Sequence, residues 1–265
     1  MPKAVIAKIC LCVTLFIGLA LVLYHWFGFF VLLFWMILGV AILDVIWPSF
    51  SMFGFQIPHR SRTGRSQIAL TFDDGPHPEF TPKILDILKA NQARATFFVL
   101  GYRAEKYPEI VERMQTEGHE VGCHGYHHKR WILKSPRLIA QELYRWLAAV
   151  SIRRQSGDFI WLRTSHGQKN PWLPWIAKKN GFKLCAWTKG VWDSDNPGEN
   201  VIVQRALSGL SKGSILLLHD ADGDCENESR MQTVLALPEI IRSIQANQMD
   251  CVTLSNLFND IGDVQ

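Results

Sequence analysis

The sequence predicts an α/β protein: a closed or nearly closed barrel of about seven strands, preceded by an N-terminal transmembrane hairpin. Charged side chains are nearly absent from residues 9–47 and are common after Arg60. From Gln67 onward, short apolar runs alternate with helical patterns, which is typical of βα units around a largely parallel sheet. We therefore expect a membrane anchor at 1–50, a basic linker at 51–65, a folded domain at 66–258 and a C-terminal tail at 259–265.

The apolar segment is too long for one perpendicular membrane crossing. It spans 39 residues, whereas about 20 helical residues cover a hydrocarbon core of roughly 30 Å. Residues 24–28 read Tyr-His-Trp-Phe-Gly, in which interfacial aromatics surround a polar and a flexible residue. This pattern predicts two transmembrane helices, at about 9–23 and 29–47, with Pro48 ending the second. A cleaved signal peptide is the alternative, but the apolar run is too long and no small-x-small pattern follows it.

Two crossings would place both ends of the chain on the same side of the membrane. Basic residues flank both ends of the segment, at Lys3 and Lys8 before it and at Arg60, Arg62 and Arg65 after it. The positive-inside bias then favours a multi-pass protein of the inner or plasma membrane with its folded domain on the cytoplasmic face. A single long helix would place that domain outside.

Charge and cysteine content narrow the class of protein. Residues 1–65 hold five basic side chains against one acidic, while the rest of the chain holds 23 of each, so nothing indicates a nucleic-acid partner. The cysteines of the folded domain show no paired framework, which agrees with a reducing compartment. They are Cys123, Cys185, Cys225 and Cys251.

Predicted strands and helices alternate along the folded domain. The predicted strands are 68–72, 95–99, 120–122, 159–163, 183–187, 214–218 and 251–254. The predicted helices are 82–90, 108–117, 136–153, 171–180, 200–210 and 231–245. Four of these helices open on a proline, which a first helical turn accepts. In barrels of this kind the chemistry gathers at the C-terminal ends of the strands, and polar clusters do follow the predicted strands.

An Asp-Asp-Gly-Pro sequence at residues 73–76 directly follows the first predicted strand. Adjacent carboxylates leaving a buried strand would both prefer water, unless one binds a cation and the other meets a positive partner. The alternative is an ordinary Asp-Gly turn.

Two histidines follow the third predicted strand. His124 and His128 are four residues apart, so on one helical turn both imidazoles would face the same way and share a metal, while His127 would point elsewhere. With Asp74 they form a three-ligand set that leaves coordination positions open, as a catalytic metal site requires.

Three further polar side chains follow later strands. Arg163 is either a partner for a carboxylate in the barrel mouth or an ordinary surface arginine. His219 emerges from an apolar strand and needs a polar partner, for which Asp193 is a candidate.

The order and spacing of these clusters resemble the polysaccharide deacetylases of carbohydrate esterase family four, which carry the nodulation-deacetylase homology domain. The resemblance covers about residues 66–258. Its most specific part is the Thr-Phe-Asp-Asp-Gly-Pro motif at 71–76 with the downstream His-x-x-x-His at 124–128. It implies a distorted (β/α) barrel and a hydrolase that uses one divalent metal ion, zinc first, with cobalt, manganese or nickel as alternatives.

The resemblance also implies roles for individual residues. The metal ligands would be Asp74, His124 and His128. The catalytic base would be Asp73, kept ionised by Arg163, and the catalytic acid His219, partnered by Asp193. Leu217 would wall the pocket for the acyl methyl group, and a backbone N–H near Ser165 or His166 would assist the oxyanion.

The sequence departs from the usual family pattern at a few positions, none of which is an implied ligand, base or acid. Gly125 replaces a Ser or Thr, so the histidine loop is expected to be looser. Thr164 and Ser165 replace two prolines, and Gly190 replaces an Asp. Ser194 replaces a Trp of the acyl pocket. Trp192 is either packed core or a substitute for that missing wall.

An acidic run follows His219. Asp220, Asp222, Asp224, Glu226 and Glu228 resemble a calcium loop only superficially, because Cys225 stands where such a loop requires glycine. We interpret it as a solvated acidic loop.

The function expected from these features is removal of an N-acetyl group from an amino sugar. The partners would be an N-acetylated carbohydrate, or a lipid-linked sugar if the domain is cytoplasmic, and the lipid bilayer. Two alternatives stay open: an O-acyl esterase or N-deformylase acting on a related carbohydrate, and a non-catalytic membrane-bound carbohydrate-binding protein.

Overall fold

The computed structural model describes residues 3–46, 60–61, 64–152, 159–168 and 170–258. They belong to two compact units, an N-terminal helix and a larger folded domain. The predicted C-terminal tail and most of the predicted linker lie outside the described residues.

The N-terminal unit is one helix, α1 (Lys3–Ile46), of 44 residues. Residues 24–28 are helical, so the prediction of two helices joined by a turn was wrong. The physical reason is that a single glycine costs a helix only about 1 kcal/mol, while Trp26 contacts Phe29 and Phe30 at helical spacing, with ring centroids 6.1 Å away in both cases. Val13–Val40 is long and apolar enough for one membrane span, as an anchor or a signal sequence. A multi-pass arrangement is therefore not supported.

The folded domain is built on a parallel sheet, which confirms the predicted distorted (β/α) barrel. Its strands run in the order β5-β4-β3-β2-β1-β7-β6, and β8 also pairs with β1. All the strand pairs are parallel. The strands are β1 (Gln67–Asp73), β2 (Thr96–Val99), β3 (Glu120–Cys123), β4 (Ile160–Leu162), β5 (Phe182–Leu184), β6 (Lys189–Gly190), β7 (Ile215–His219) and β8 (Asp250–Val252).

Helices connect the strands. They are α2 (Phe80–Ala90), α3 (Gly101–Lys106), α4 (Pro108–Thr116), α5 (Pro136–Ala149), α6 (Leu173–Lys179), α7 (Glu199–Leu207), α8 (Met231–Ala246) and α9 (Leu254–Leu257). The six predicted helices are confirmed, with ends that differ by up to a turn. Pro108 and Pro136 open α4 and α5 as expected, and the Ser135 hydroxyl caps α5. The short elements α3, α9 and β6 were not predicted because none is long enough to display a period.

The alternation of side chains along β1 and β7 positions the site. Ile68, Leu70 and Phe72 point outward into the larger apolar cluster beneath the helices. Ala69 points inward, into a smaller cluster with Phe98. Side chains two residues apart share a face of a strand, so Thr71 and Asp73 also face the interior.

The register of the strands places the inward side chains of β7 beside those of β1. Thr71 pairs with Leu217, and Asp73 pairs with His219. Because all the strands are parallel, their C-terminal ends meet at one end of the barrel. The side chains that follow the strands therefore converge there.

Candidate active site

Asp74, His124 and His128 converge at the mouth of the barrel. Asp74 Oδ1 lies 3.2 Å from His124 Nε2 and 3.3 Å from His128 Nε2. One ligand atom from each residue falls within a group whose members are all within 4.8 Å of one another. Burial raises the pKa of Asp74, but a hydrogen bond and the charge of His124 outweigh it and hold that pKa well below its usual range. The carboxylate form is the one that binds a cation.

The two histidines reach this point from a loop and not from a helical turn. Residues 124–128 are irregular, so the helical spacing argument was wrong in its geometry although the rings do meet. Their centroids lie 5.7 Å apart, in a stacked arrangement. His127 points away as expected: its backbone N–H and its Nδ1 bond the two oxygens of Glu142, at 3.0 and 3.2 Å.

Gly125 gives the histidine loop its shape. Its φ is +92°, and a Cβ at this position would lie 3.0 Å from the Trp131 ring and 3.2 Å from a backbone oxygen. Glu142 anchors the loop on one side and the Ser165 hydroxyl donates to the carbonyl of His124 at 2.8 Å on the other, while the expectation of a looser loop than in relatives stays a prediction. Ser165 thus ties the arginine segment to the metal-ligand segment at a position where the family usually has a proline.

Asp73 meets a buried arginine. Arg163 Nη1 donates to Asp73 Oδ1 and to Thr71 Oγ1, both at 2.8 Å, while Nη2 donates to the carbonyl of Ala186 at 3.0 Å. The guanidinium also lies 4.2 Å from the centroid of the Phe98 ring. Arg163 is 1% exposed, so the surface-arginine alternative was wrong. A buried guanidinium keeps its charge and requires a carboxylate partner, which Asp73 supplies.

His219 and Asp193 form a second buried pair. His219 Nδ1 lies 2.7 Å from Asp193 Oδ1, and the backbone N–H of His219 donates to Asp193 Oδ2 at 2.8 Å. Burial lowers the pKa of His219, but the charge and hydrogen bond of Asp193 outweigh it and raise that pKa to about 9. His219 is therefore protonated at neutral pH.

The start of the acidic segment after His219 is buried, which corrects part of its interpretation as a solvated loop, whereas Asp224 and Glu226 are exposed as that interpretation expected. Asp220 is fully buried and accepts a hydrogen bond from Thr81 Oγ1 at 2.6 Å. A Cβ at Gly75 would lie 2.0 Å from Asp220 Oδ2, so the glycine of the Asp-Asp-Gly-Pro motif allows this close approach. Asp222 pairs with the buried Arg230 at 2.5 Å. The charged residues of this segment suggested exposure to solvent, but the buried Arg230 side chain pairs with one of them, Asp222.

The residues predicted to contact substrate differ in their exposure to solvent. Leu217 is 8% exposed, on the inner face of β7 near Gly190, whereas Trp192 is 67% exposed, so the packed-core interpretation of Trp192 was wrong. Ser165 is buried beneath the loop. The exposed His166 lies beside His128, with ring centroids 4.2 Å apart. Their contacts with substrate remain predictions.

Several residues of the site were missed from the sequence. Strand alternation placed Thr71 on the same face as Asp73 and could have revealed it. No sequence signal marks Thr233, whose hydroxyl donates to Asp193 Oδ2 at 2.9 Å from a distant helix. Asp224, which bonds His128, was hidden among the acidic residues.

A parallel barrel with paired carboxylates, histidines and a buried arginine at its strand ends defines a barrel hydrolase. The family described as polysaccharide deacetylase matches residues 60–185. A peptidoglycan-N-acetylglucosamine deacetylase of Bacillus cereus is 32% identical over 203 residues, which cover 72% of this chain and 87% of the relative. A chitooligosaccharide deacetylase of Sinorhizobium fredii is 32% identical over 190 residues, which cover 70% and 88%.

A solved structure agrees with these relatives. The peptidoglycan deacetylase PdaC from Bacillus subtilis has 30% sequence identity and a TM-score of 0.63, with 73% of this chain and 90% of that chain covered. The chain belongs to the polysaccharide deacetylase family, and its expected class, a carbohydrate deacetylase, is confirmed.

Proposed function

We propose that this chain is a metal-dependent N-deacetylase that removes the acetyl group from an amino sugar of a glycan and releases acetate. One observation carries the proposal. Asp73 and His219 stand at paired positions of neighbouring strands, beside the group formed by Asp74, His124 and His128. A base, an acid and a cation-binding set thus share one mouth of the barrel.

The donor set fits a divalent metal. One carboxylate and two imidazoles, mostly buried and with their donor atoms turned toward one another, are the ligands of catalytic zinc sites. Asp74, His124 and His128 would hold the ion, with zinc proposed first and cobalt, manganese or nickel as alternatives. When bound, the metal would polarise the amide carbonyl and acidify a water molecule.

Two side chains beside the metal ligands would each carry out one of the two proton transfers. Asp73, which accepts a hydrogen bond from Arg163 Nη1 at 2.8 Å, would accept the proton of the attacking water. His219 would donate a proton to the leaving amine, and Asp193 keeps that proton available by raising the pKa of His219 to about 9. A backbone N–H at Ser165 or His166 would stabilise the oxyanion.

The substrate pocket is the less usual part of the site. Leu217 would wall the pocket for the acetyl methyl group. The exposed Trp192 would lie against the sugar, because an indole provides an apolar face for the C–H groups of a sugar ring. The exposed Ser194 leaves this side open where relatives usually carry a Trp.

The relatives direct the choice of substrate. Their names refer to peptidoglycan N-acetylglucosamine and to chitooligosaccharides. We therefore propose an N-acetylglucosamine-containing polymer or oligomer as substrate of this chain. A lipid-linked precursor was expected only for a domain facing the cytoplasm.

The side of the membrane changes with the number of helices. The cytoplasmic prediction required two crossings, and α1 is a single helix. A single crossing that keeps Lys3 and Lys8 inside would place the domain on the outer face; because Arg60, Arg62 and Arg65 follow the Val13–Val40 span, this proposal rests on the single crossing and not on a charge bias. Among the free cysteines of the described residues, Cys123, Cys185 and Cys251 are buried and so sheltered from an oxidising compartment, whereas Cys225 is exposed. A reporter that is active in only one compartment, fused after Gln265, tests the proposal: activity in the cytoplasm would contradict it.

Acetate release tests the activity. Full-length protein loaded with zinc is incubated with chitooligosaccharides, peptidoglycan fragments and a lipid-linked N-acetyl sugar. We expect acetate from the first two substrates and loss of release in Asp73→Asn. Unchanged release in Asp73→Asn would contradict the mechanism, and release from the lipid-linked sugar alone would contradict the proposed substrate.

A further inference from the structure

The segment between β7 and α8 covers one face of the proposed metal site. The backbone N–H of Gly223 donates to Asp74 Oδ2 at 3.0 Å. A Cβ at Gly223 would lie 2.3 Å from the His128 ring, so the backbone packs directly on that imidazole. The next residue, Asp224, places Oδ1 2.8 Å from His128 Nδ1. This segment therefore contacts two of the three proposed ligands.

The two ring nitrogens of His128 face different carboxylates. Nε2 faces Asp74, at 3.3 Å, and Nδ1 faces Asp224. A carboxylate accepts hydrogen bonds but cannot donate them, so Asp224 places the proton of a neutral imidazole on Nδ1. With the Nδ1 proton held by Asp224, Nε2 is the ring nitrogen that would ligate a cation, which would take the place of a proton between Nε2 and Asp74. This is the tautomer that a metal ligand requires.

His124 has no comparable partner. Its Nδ1 is buried and lacks a hydrogen bond within the described residues, and the nearest carboxylate oxygen, Asp73 Oδ2, is 3.9 Å away. Among the residues that the structure describes, a hydrogen-bonded carboxylate therefore orients His128 but not His124. Asp224 is thus a specific feature of the His128 side of the site.

Buried groups hold Asp224 in place although its own side chain is 67% exposed. Asp222 Oδ1 accepts from the backbone N–H groups of Asp224 and Cys225, at 2.9 and 2.8 Å. Asp222 in turn is bonded by Arg230 through its carboxylate and by Arg103 through its carbonyl, each at 2.5 Å. Both arginines are buried. The backbone that presents Asp224 is therefore anchored from below.

We propose that Asp224 is a positioning residue that fixes the tautomer and orientation of His128 for metal binding. This inference rests on the proposed metal-dependent function. It assigns a part in the metal affinity of the site to an acidic residue outside the polar clusters that the sequence places after the strands. Hydrogen-bonded carboxylates behind metal-ligating histidines typically change metal affinity by about 10–100-fold.

Zinc affinity of the full-length protein, measured by competition with a chelator, tests the proposal. We expect Asp224→Ala to weaken zinc binding by about 10–100-fold, and Asp224→Glu to recover part of that loss. Glu226→Gln is the matched control, because it removes a carboxylate of the same segment that pairs with Lys106 and touches no proposed ligand. Its affinity should equal that of the wild type.

A second readout separates positioning from a purely structural role. Nitrogen chemical shifts of the zinc-loaded protein should show His128 protonated at Nδ1 with Nε2 on the metal, and Asp224→Ala should remove this fixed arrangement while the thermal unfolding midpoint of the metal-free protein stays unchanged. Wild-type zinc affinity in Asp224→Ala would overturn the proposal.

Two other results would overturn it in different ways. His128, His166 and Asp224 also form a group of potential ligands, so a zinc stoichiometry that falls from two to one in Asp224→Ala would make Asp224 a ligand itself. Absence of zinc binding by the wild-type protein would instead overturn the metal-dependent function, and the role of Asp224 with it.

Discussion

Asp193 holds His219 with both of its carboxylate oxygens, one on the imidazole Nδ1 at 2.7 Å and one on the backbone N–H at 2.8 Å. The second oxygen also accepts from Thr233 Oγ1. Asp193 is fully enclosed, and although burial raises its pKa, His219 outweighs that effect and lowers it. The carboxylate is thus an ionised partner that cannot turn away from the histidine.

Asp193→Asn should move the alkaline limb of the pH–rate profile to lower pH. His219 donates a proton only while protonated, and its pKa of about 9 depends on the charge of Asp193, since burial alone lowers that pKa. We expect kcat at pH 8 to fall by about 10²-fold or more and to recover partly at acidic pH. Thr233→Val, which removes one hydrogen bond from Asp193 and keeps its charge, should shift the limb much less. A limb that is unmoved in Asp193→Asn would show that His219 is not the acid.

The same pair should make stability depend on pH. The folded pKa of His219 is raised above its usual value of 6.5 to about 9, so its contribution to stability is fully present below about pH 6.5 and is lost as pH rises to about 9. Urea unfolding of the full-length protein between pH 6 and 9 should show this loss, and Asp193→Asn should flatten it. An equal slope in both proteins would contradict the linkage.

Removing Asp73 should reveal the cost of a buried charge. Asp73→Asn leaves the Arg163 guanidinium without a carboxylate partner, and we expect a loss of about 3 kcal/mol in the free energy of unfolding. The double variant Asp73→Asn with Arg163→Met should regain most of this stability while remaining inactive, because the buried charge is gone but the base is still missing. Chemical denaturation and acetate release distinguish the two effects. No gain in the double variant would mean that Arg163 contributes through its other hydrogen bonds.

Gly125 should resist replacement by the serine usual in the family. Left-handed backbone costs a residue with a side chain about 1–2 kcal/mol, and the new Cβ would also press on Trp131. Gly209→Ser is the control, since Gly209 has a φ of +69° and nothing within 4 Å of a Cβ. We expect Gly125→Ser to lower the unfolding midpoint more than Gly209→Ser and to weaken zinc binding, which the control leaves unchanged. Equal effects of both substitutions would contradict the role of the Trp131 contact.

Zinc should stabilise the protein against heat. A ligand present at 100 times its Kd adds about 2.7 kcal/mol to the free energy of unfolding, which raises the midpoint of a domain this size by about 5–10 °C. Asp74→Asn should abolish the rise, and Glu79→Gln, which changes an exposed carboxylate paired with Lys83, should retain it. A zinc-induced shift that survives in Asp74→Asn would place the ion elsewhere.

The apolar runs predicted seven strands because most of them, such as β1, β2 and β7, are stretches of buried residues long enough to be seen. β6 was missed since Lys189–Gly190 carries no apolar run. The predicted helix break at 24–28 was wrong because local composition does not reveal how readily a long apolar helix accommodates one glycine.

The site residues Asp73, Asp74 and His219 could be predicted from the sequence because the ends of parallel strands converge. Contacts such as Asp222 with Arg230 and Asp193 with Thr233 depend on packing between segments that no local pattern connects.

The pairing of Asp73 with His219 across β1 and β7 has a practical consequence. Main-chain hydrogen bonds of two central strands set the spacing of this pair, whereas Trp192, Ser194 and His166 belong to loops that no strand pairing holds. Exchanging those loops with segments from relatives should retune which sugar is accepted while the reacting groups keep their separation. The same barrel and reacting groups could then support deacetylases that accept different sugars.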